Sequence, residues 1–286
     1  MKTFTNVAVI GFGTMGGGIA QVFAQSGRNV VVLETDESRI NAGLAAVESL
    51  LTEGVARGEV TAEDKSATLS RLRGTTEVAE LAASDLIVEA VTENHQVKST
   101  VLAQVAEVVR EDTVIATTTS AFSVSELATS IPGQERFAGL HFFSPARRTT
   151  VVEVVRGLST DEKVIVRLEH LVEEIGKVAV IVKDRPGFLV NKLFMPYIND
   201  VIQACDDELA SAEDIDVAIK LGLGYKMGPL ELVDLIGLDV HEQTTRSVYE
   251  ATLDPAYAPP PLLQTMVAAG MKGNKNDRGF RTEEKK

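Results

Sequence analysis

Short β-branched runs alternate with longer helical patterns over the first two thirds of the chain. The candidate strands are NVAVIG, NVVVLE, SDLIVEAV, DTVIATTT, FAGLHFF, VVEVVRG and KVAVIVKD. Strands that alternate with helices are typical of a mostly parallel sheet covered on both faces. The pattern predicts an α/β domain whose last strand ends near Val182.

The interval between the second and third candidate strands has helical periodicity. It runs from Asp36 to Arg73 and carries apolar residues at helical spacing, namely Leu44, Val47, Leu51 and Val55. Thr61, followed by Glu63 and Asp64, is typical of a second helix start. The interval therefore predicts a helical hairpin inserted into the sheet domain.

The hydrophobic pattern changes after Val182, where KDRPGF supplies the proline and glycine that are typical of a domain junction. We therefore divide the chain into residues 1–183 and residues 184–286. The second part has helical periodicity throughout. Ser211 with Asp214 predicts one helix start, and the Gly-Pro pair in MGPLELVDLIGLDV predicts another.

One predicted helix, from Gly187 to Ala210, is apolar around most of its axis. Its apolar residues are Phe188, Leu189, Val190, Leu193, Phe194, Tyr197, Val201, Ile202 and Leu209. A domain of about a hundred residues can hardly cover such a helix on every side. We therefore expect a second copy of the chain to contribute and predict a homodimer through the C-terminal helices. Pro196 predicts a kink in this helix.

Composition and charge narrow the class of protein and of partner. The 286 residues are 44% hydrophobic and 24% charged, which suffices for a sizeable core. We find no apolar run near the ~20 residues of a membrane span and no signal-peptide pattern, so we expect a cytoplasmic protein. The single cysteine, Cys205, excludes an internal disulfide, and the four histidines lack ligand-like spacing, so we expect no metal. The net charge of −13 disfavours nucleic acid and anionic lipid and favours a small-molecule partner.

A glycine-rich turn follows the first candidate strand. NVAVIGFGTMGGGIAQ places Gly11, Gly13 and Gly16 between that strand and a helix start. The first glycine allows a tight turn, the second admits a pyrophosphate close to the backbone, and the third lets helix and strand pack closely. Thr14 and Met15 then lie at the helix N-terminus, whose N–H groups would face the phosphates.

The second candidate strand ends in the acidic residue Glu34. A carboxylate there can accept hydrogen bonds from both ribose hydroxyls of an adenosine and would repel a 2′-phosphate, which favours NAD over NADP. Glycines also occur in ordinary structural turns. The order of strand, glycine turn, helix and acidic strand end favours dinucleotide binding over that alternative.

His141 lies within an apolar strand candidate, ahead of a Pro turn with Arg147 and Arg148. The next apolar strand holds a single carboxylate, Glu153. The histidine is either a core residue with a chance ion-pair partner or a catalytic base. An imidazole titrates near neutrality, so it can accept and return a proton, and Glu153 would hold one ring nitrogen so that the other faces a substrate.

Six motifs together resemble those of a known family. In chain order they are GFGTMGGGIAQ, TTTSAFSV, GLHFFSP, VVEVVRG, DRPGFLVNK and MGPLELVDLIGLD. They resemble the short-chain L-3-hydroxyacyl-CoA dehydrogenases, particularly the 3-hydroxybutyryl-CoA type, over nearly the whole chain. The resemblance implies an oxidoreductase of fatty acid metabolism, with an N-terminal Rossmann-like NAD-binding domain. It also implies a helical C-terminal domain that dimerises and closes the active-site cleft.

The resemblance implies roles for individual residues. It assigns the catalytic base to His141, its orienting carboxylate to Glu153, and hydrogen bonds to the reacting oxygens to Ser120 and Asn191. It further suggests that three charged residues lie near the cofactor, namely Glu93, Lys98 and Lys275. Glu93 and Lys98 could equally belong to the exposed charged face of a helix.

The chain departs from the family pattern near the reacting group. The usual Ser-Asn-Thr-Ser-Ser run is replaced here by TTTSA at 117–121, and Ser144 stands where the family has an asparagine. The hydroxyls keep some donor capacity, but the amides are absent. The usual Pro-Val-Met-Lys after the turn becomes Arg147, Arg148, Thr149 and Thr150. The two arginines could grip a phosphate or a substrate carboxylate, or could be a solvated loop.

A second departure lies in the helical hairpin. Where the family places a serine and a lysine against the CoA nucleotide, this chain has Thr52 and Glu59. A carboxylate that faces a phosphate is unfavourable, so either CoA is held differently or the acyl group arrives on another carrier.

Three functions are compatible with these observations. The first is an NAD-dependent L-3-hydroxyacyl-CoA dehydrogenase for short acyl chains. The second is a related dehydrogenase for a free β-hydroxy acid or for a thioester on a carrier protein; Glu59 and the arginines favour it, while the net charge of −13 disfavours an acidic carrier. The third is a cofactor-binding sensor without turnover, which the set Ser120, His141, Glu153 and Asn191 disfavours.

Overall fold

The structure is a computed structural model that describes residues 4–281. It divides into two compact units between Arg185 and Pro186, two residues after the division at 183/184 that the sequence pattern suggests. The strands of unit 1 are β1 Asn6–Ile10, β2 Asn29–Leu33, β3 Leu72–Thr75, β4 Leu86–Glu89, β5 Val114–Thr117, β6 Phe137–Phe142, β7 Val151–Arg156 and β8 Val178–Lys183. Its helices are α1 Thr14–Gln25, α2 Glu37–Ala56, α3 Ala62–Ser70, α4 His95–Val108, α5 Val124–Ala128 and α6 Glu162–Glu174.

The strands of unit 1 form one eight-stranded sheet in the order β3-β2-β1-β4-β5-β6-β7-β8. Neighbouring strands are parallel except for β6 and β7, which pair antiparallel. The predicted mostly parallel sheet is therefore confirmed. All residues of β4 and β6 are buried, as expected of central strands covered on both faces.

The helical hairpin is present as α2 and α3. Asp36 caps α2 by accepting from the Arg39 N–H at 2.9 Å, and Thr61 caps α3 by accepting from the Asp64 N–H at 3.0 Å. These side chains satisfy N–H groups that a helix start leaves unpaired. Val47 of α2 belongs to the core that the sheet and its helices share.

The interval from Asp36 to Arg73 also contains the start of a strand that the hydrophobic pattern does not predict. Leu72 and Arg73 begin β3, an edge strand that pairs in parallel with β2. Gly74 lets α2 pack closely on this strand, because a Cβ at that position would collide with Ile40 of α2. β3 lacks the β-branched run that marks the other strands, so its pairing with β2 rather than its local propensity determines it.

Unit 2 is helical, which confirms the predicted all-α second part. Its helices are α7 Val190–Asp206, α8 Ala212–Leu223, α9 Pro229–Ile236, α10 Leu238–Thr252 and α11 Pro261–Ala268. Ser211 caps α8 by accepting from the Asp214 N–H at 3.1 Å, as predicted. The buried core includes Ile198 and Ile202 of α7.

The predicted helix from Gly187 to Ala210 is too long at both ends. α7 begins at Val190, because the backbone is left-handed at Gly187, and it ends at Asp206, because the backbone is left-handed again at Glu208. Pro196 lies inside α7 and cannot donate to a carbonyl one turn earlier. The Lys192 carbonyl accepts instead from the Tyr257 hydroxyl at 3.0 Å.

Within residues 4–281, no helix has both the length and the apolar character needed to cross a membrane. The same residues contain no cluster of three or more His, Cys, Asp or Glu side chains that could hold a metal ion.

Candidate active site

The glycine turn between β1 and α1 has the geometry of a dinucleotide site. Gly11 has φ of +95°, and a Cβ there would lie 2.8 Å from the Ala90 carbonyl oxygen. A Cβ on Gly16 would collide with the Gly11 carbonyl, whereas Gly13 is exposed and has open space around it. The turn thus packs tightly at its first and third glycines and leaves room at the second.

The N-terminus of α1 has the chemistry to hold an anion. The helix starts at Thr14, and its N-cap residue, Gly13, offers no side chain to accept from the first N–H groups. These N–H groups carry the positive end of the helix dipole, so a pyrophosphate fits here. Thr14 is exposed and Met15 half-buried at this terminus, which leaves the backbone accessible.

Glu34 follows β2 and lies beside the same turn. Its Oε1 accepts from the Phe12 N–H at 2.8 Å, and its Oε2 accepts from the Thr35 N–H at 2.9 Å. The two hydrogen bonds hold the carboxylate in one orientation next to the turn. The residues present therefore fit NAD: the glycine turn would accommodate a pyrophosphate, and Glu34 would lie at the adenosine ribose.

His141 and Glu153 are direct partners across the antiparallel β6–β7 pair. The His141 Nδ1 atom lies 2.6 Å from Glu153 Oε2, and both side chains are buried. Because a carboxylate can only accept, Nδ1 carries the proton of the neutral imidazole, and Nε2 carries the lone pair. An imidazole held in this way can accept a proton at Nε2.

Ser120 lies on the other side of the imidazole. It follows β5, the strand parallel to β6, and its Oγ lies 2.9 Å from His141 Nε2. The Phe143 ring packs edge-on against the imidazole, with 4.6 Å between the ring centroids. The structure thus brings Ser120, His141 and Glu153 into one line of hydrogen bonds.

Glu93 forms a polar cluster with two buried residues, Lys98 and Glu89. The Lys98 Nζ lies 2.8 Å from Glu89 Oε1 and 3.0 Å from Glu93 Oε2, and its side chain is only 1% exposed. The alternative of an exposed charged face is therefore wrong for Lys98. Sequence reasoning missed Glu89, although a carboxylate in the otherwise apolar strand LIVE was a usable signal.

The hairpin residues form their own polar contacts. The Thr52 hydroxyl accepts from Lys65 Nζ at 2.8 Å, so a cation lies beside this residue. Glu59 receives two hydrogen bonds from Arg57, at 2.9 and 3.0 Å. Arg57 therefore compensates part of the negative charge of Glu59, and whether this carboxylate faces CoA stays a prediction.

Arg147 and Arg148 lie near this end of the hairpin. The hydrogen bonds from Arg57 hold the pKa of Glu59 below its usual value, and the charges of Arg148 and Arg147 lower it further. The turn that follows β6 therefore lies close enough to the turn between α2 and α3 for its two arginines to stabilise the charge of Glu59. Arg148 is exposed and Arg147 half-buried.

Asn191 and Lys275 belong to unit 2. Asn191 lies half-buried in the first turn of α7. The Lys275 Nζ lies 2.6 Å from Asp239 Oδ1 at the start of α10. Burial raises the pKa of Asp239, but the hydrogen bond and the charge of Lys275 outweigh it, so this pKa is below its usual value. The roles of Asn191 toward the substrate and of Lys275 toward the cofactor stay predictions.

A glycine turn beside an acidic strand end, with a buried His–Glu pair in the same sheet, defines a dinucleotide-dependent dehydrogenase. Comparison with known protein families identifies which dehydrogenases these are. Residues 6–185 match the model of the 3-hydroxyacyl-CoA dehydrogenase NAD-binding domain, and residues 187–283 match that of the C-terminal domain of the same enzymes. The chain belongs to the 3-hydroxyacyl-CoA dehydrogenase family, and its cofactor is NAD.

Similar proteins agree with this membership. A 3-hydroxybutyryl-CoA dehydrogenase of Mycobacterium tuberculosis is 40% identical over 278 residues, which are 96% of this chain and 97% of that protein. The crystal structure of M. tuberculosis FadB2 superposes with a TM-score of 0.96 at 39% identity and covers 98% of this chain and 99% of that one. A 3-hydroxyadipyl-CoA dehydrogenase of Escherichia coli is 40% identical over 280 residues, which are 98% of this chain and 59% of that protein.

Proposed function

We propose that this chain interconverts a short-chain L-3-hydroxyacyl-CoA and the corresponding 3-ketoacyl-CoA, with His141 as the base and Glu153 as its orienting partner. The observation that carries the proposal is the line of hydrogen bonds from Ser120 Oγ through the buried imidazole to Glu153 Oε2, with distances of 2.9 and 2.6 Å. The 3-hydroxybutyryl-CoA dehydrogenase of M. tuberculosis, which this chain matches at 40% identity, supports a short acyl group.

Each residue of the proposed site has its own role in the reaction. In the oxidation direction, His141 Nε2 takes the proton of the substrate hydroxyl as the hydride leaves the carbon. Glu153 then stabilises the imidazolium by accepting a hydrogen bond from Nδ1, as the carboxylate of a catalytic triad does. The Ser120 hydroxyl holds Nε2 in place before substrate binds and then directs a hydrogen bond to the reacting oxygen, a task that the family resemblance also assigns to Asn191.

NAD supplies the hydride acceptor when it is bound. The glycine turn and the N-terminus of α1 would hold its pyrophosphate, and Glu34 would hold its adenosine ribose. Glu93 accepts from the Ser120 N–H at 3.0 Å and is 27% exposed, and we propose that it lies near the nicotinamide half of the cofactor.

A substrate with a carboxylate at its far end is the second candidate. The E. coli 3-hydroxyadipyl-CoA dehydrogenase, 40% identical to this chain, is named for such a substrate. Arg147 and Arg148 follow the His141 strand and supply two cations that can bind a carboxylate through paired hydrogen bonds. Arg57 pairs with Glu59 through two hydrogen bonds, which weakens the argument that this carboxylate disfavours CoA.

Oxidation of NADH, followed by its absorbance, tests the proposal with four substrates: acetoacetyl-CoA, 3-ketoadipyl-CoA, acetoacetate and an acetoacetyl carrier protein. We expect turnover of CoA thioesters, abolished in His141→Gln while NADH still binds, because that variant loses the base and keeps the glycine turn. His170→Gln is the matched control, because His170 is an exposed histidine on α6. Near-normal kcat in His141→Gln would show that His141 is not the base. Turnover of acetoacetate but not of the CoA thioesters would show that the substrate is not a CoA ester.

We further propose a homodimer through the helices of unit 2. Several large apolar side chains of this unit are more than half exposed, namely Leu193, Leu209, Leu221, Leu223, Tyr225 and Leu235. Such exposure favours a protein interface. Sedimentation of the full chain is expected to give a dimer that Leu193→Glu weakens, whereas Leu158→Glu, at an exposed position of unit 1, leaves it intact. A monomeric wild type would refute this proposal.

The place of action that we propose is the cytoplasm. The single cysteine, Cys205, supports a reducing compartment, where disulfides are rare.

A further inference from the structure

Glu89 is a buried carboxylate at the end of β4 to which the proposed mechanism gives no role. Its side chain has no exposed surface, and it receives three hydrogen bonds. The Val91 N–H and Lys98 Nζ donate to Oε1, each at 2.8 Å, and the Thr117 hydroxyl donates to Oε2 at 2.6 Å. A charge removed from water is costly even when it is paired, so a glutamate here calls for a reason beyond packing.

Lys98 connects Glu89 to a second carboxylate. Its Nζ contacts Glu89 Oε1 at 2.8 Å, Glu93 Oε2 at 3.0 Å and the Val91 carbonyl oxygen at 3.4 Å. Three acceptors match the three protons of an ammonium group. Glu89 and Glu93 therefore share one cation, and each limits where the other can lie.

Glu93 in turn holds the loop that follows β5. Its Oε1 accepts from the N–H of Ser120 at 3.0 Å, from the N–H of Ala121 at 3.1 Å and from the Thr119 hydroxyl. One carboxylate oxygen thus fixes three consecutive residues. The middle residue is Ser120, whose Oγ lies 2.9 Å from His141 Nε2.

A second connection runs through the sheet. Glu89 and Thr117 are direct partners in the β4–β5 pair, and the Thr117 hydroxyl that donates to Glu89 also accepts from the Thr119 N–H at 3.2 Å. Glu89 therefore reaches the same loop by two routes, one through Lys98 and Glu93 and one through Thr117.

We propose that Glu89 is a positioning residue for the reaction: it fixes the loop of residues 119–121 and thereby sets the Ser120 hydroxyl against His141. The proposal rests on the role of Ser120 in the proposed function. Glu89 acts through other residues. The loss of kcat on replacing Glu89 is therefore expected to be no larger than the loss on replacing Ser120.

A double-mutant cycle of Glu89→Gln and Ser120→Ala tests this dependence. We expect Glu89→Gln to lower kcat about 10-fold with the KM for NADH changed less than about 2-fold, since the adenosine end of the site is intact. In a Ser120→Ala background, Glu89→Gln is expected to lower kcat further by less than about 2-fold, because the hydroxyl that it positions is gone.

Asp85→Asn is the matched control for loss of a buried carboxylate in the same region. Asp85 precedes β4 at its opposite end, accepts from the Thr5 and Asn6 N–H groups and pairs with Arg110. We expect Asp85→Asn to lower the melting temperature and to keep kcat. Thr117→Val is the second probe if Glu89→Gln does not fold, since it removes only the hydroxyl of the sheet route and should again lose its effect in Ser120→Ala.

The outcomes separate this inference from the proposed function. Wild-type kcat in folded Glu89→Gln, or an equal loss in Asp85→Asn, overturns the positioning role. If Ser120→Ala is slow but the two losses multiply in the double variant, only the role of Glu89 fails. If Ser120→Ala is as fast as the wild type, the role of Ser120 in the proposed function fails together with that of Glu89.

Discussion

His141 and Glu153 face each other as register partners in the only antiparallel strand pair of the sheet described for residues 4–281, with Nδ1 2.6 Å from Oε2. The two strands belong to one buried sheet, so the orientation of the ring is set by backbone pairing as well as by the hydrogen bond. A base oriented in this way needs little reorganisation when it takes up a proton.

Glu153→Gln is expected to lower kcat and kcat/KM together by roughly 10²-fold, because an amide cannot stabilise the imidazolium and can hold the wrong tautomer. Steady-state kinetics with acetoacetyl-CoA measure kcat and kcat/KM. Fluorescence titration measures the affinity for NADH, which should not change. Glu162→Gln is the control, because Glu162 is an exposed glutamate that pairs with Arg156, a residue of the strand that holds Glu153. Unchanged kcat in folded Glu153→Gln would rule out its orienting role.

Glu34→Ala is expected to weaken the preference for NADH over NADPH, because the variant loses both the ribose acceptor and the repulsion of a 2′-phosphate. The measurement is kcat/KM with each cofactor for wild type and variant. Glu37→Ala, at an exposed acidic position in the first turn of α2, should keep the wild-type preference. A wild type that already prefers NADPH would contradict the role of Glu34.

Glu59→Lys is expected to lower the KM for acetoacetyl-CoA with little change in kcat, if the hairpin lies against CoA. The variant adds a cation and releases Arg57 from its two hydrogen bonds, and contacts remote from the reacting carbon contribute mainly uniform binding. The gain should shrink as salt rises. Glu63→Lys, exposed at the start of α3, controls for charge alone. Equal KM values in wild type and Glu59→Lys would place CoA elsewhere.

Arg147→Ala and Arg148→Ala separate the monocarboxylic from the dicarboxylic substrate. If an arginine binds a carboxylate at the far end of the acyl chain, its loss raises the KM for 3-ketoadipyl-CoA by a factor worth about 1–3 kcal/mol and leaves acetoacetyl-CoA nearly unaffected. Kinetics with both thioesters provide the comparison. Equal effects on the two substrates would mean that the arginines contact the part that both share.

Acid stability should depend on His241, which is buried in unit 2 with Nε2 3.0 Å from Asn199 Oδ1. Burial lowers its pKa from 6.5 to about 4, so the unfolded chain binds a proton that the folded chain does not bind as pH falls between these values. The stability that His241 contributes is present above pH 6.5 and is lost toward pH 4, by at most about 3 kcal/mol.

Urea unfolding of the full chain at pH 7.5 and pH 5.0 measures this loss, with roughly 2 kcal/mol expected from His241 over that interval. His241→Gln, which keeps an uncharged polar side chain, should lose about that much less stability on acidification than the wild type. The exposed His170, changed to Gln, is the control. Equal pH dependence in wild type and His241→Gln would contradict the buried, uncharged histidine.

Local chemistry alone accounts for a large part of what could be predicted. The glycine turn, the caps at Thr61 and Ser211, and the strand runs of unit 1 follow from residue type and spacing. The predicted neighbourhood of His141 and Glu153 followed from two adjoining strands joined by a short turn. Lengths were less reliable, as the ends of α7 and the four-residue strand β3 show.

The sequence by itself determined the α/β order, the helical second part and the dinucleotide turn, because hydrophobic period, glycine positions and capping residues act over a few neighbours. Only the tertiary structure decided that Lys98 is buried between Glu89 and Glu93, that Arg57 pairs with Glu59, and that Ser120 meets the Nε2 atom of His141. These relationships depend on strand order and on side chains that are distant in sequence or freely rotating. A carboxylate looks the same in sequence whether it faces water or a buried ammonium, and packing alone distinguishes the two.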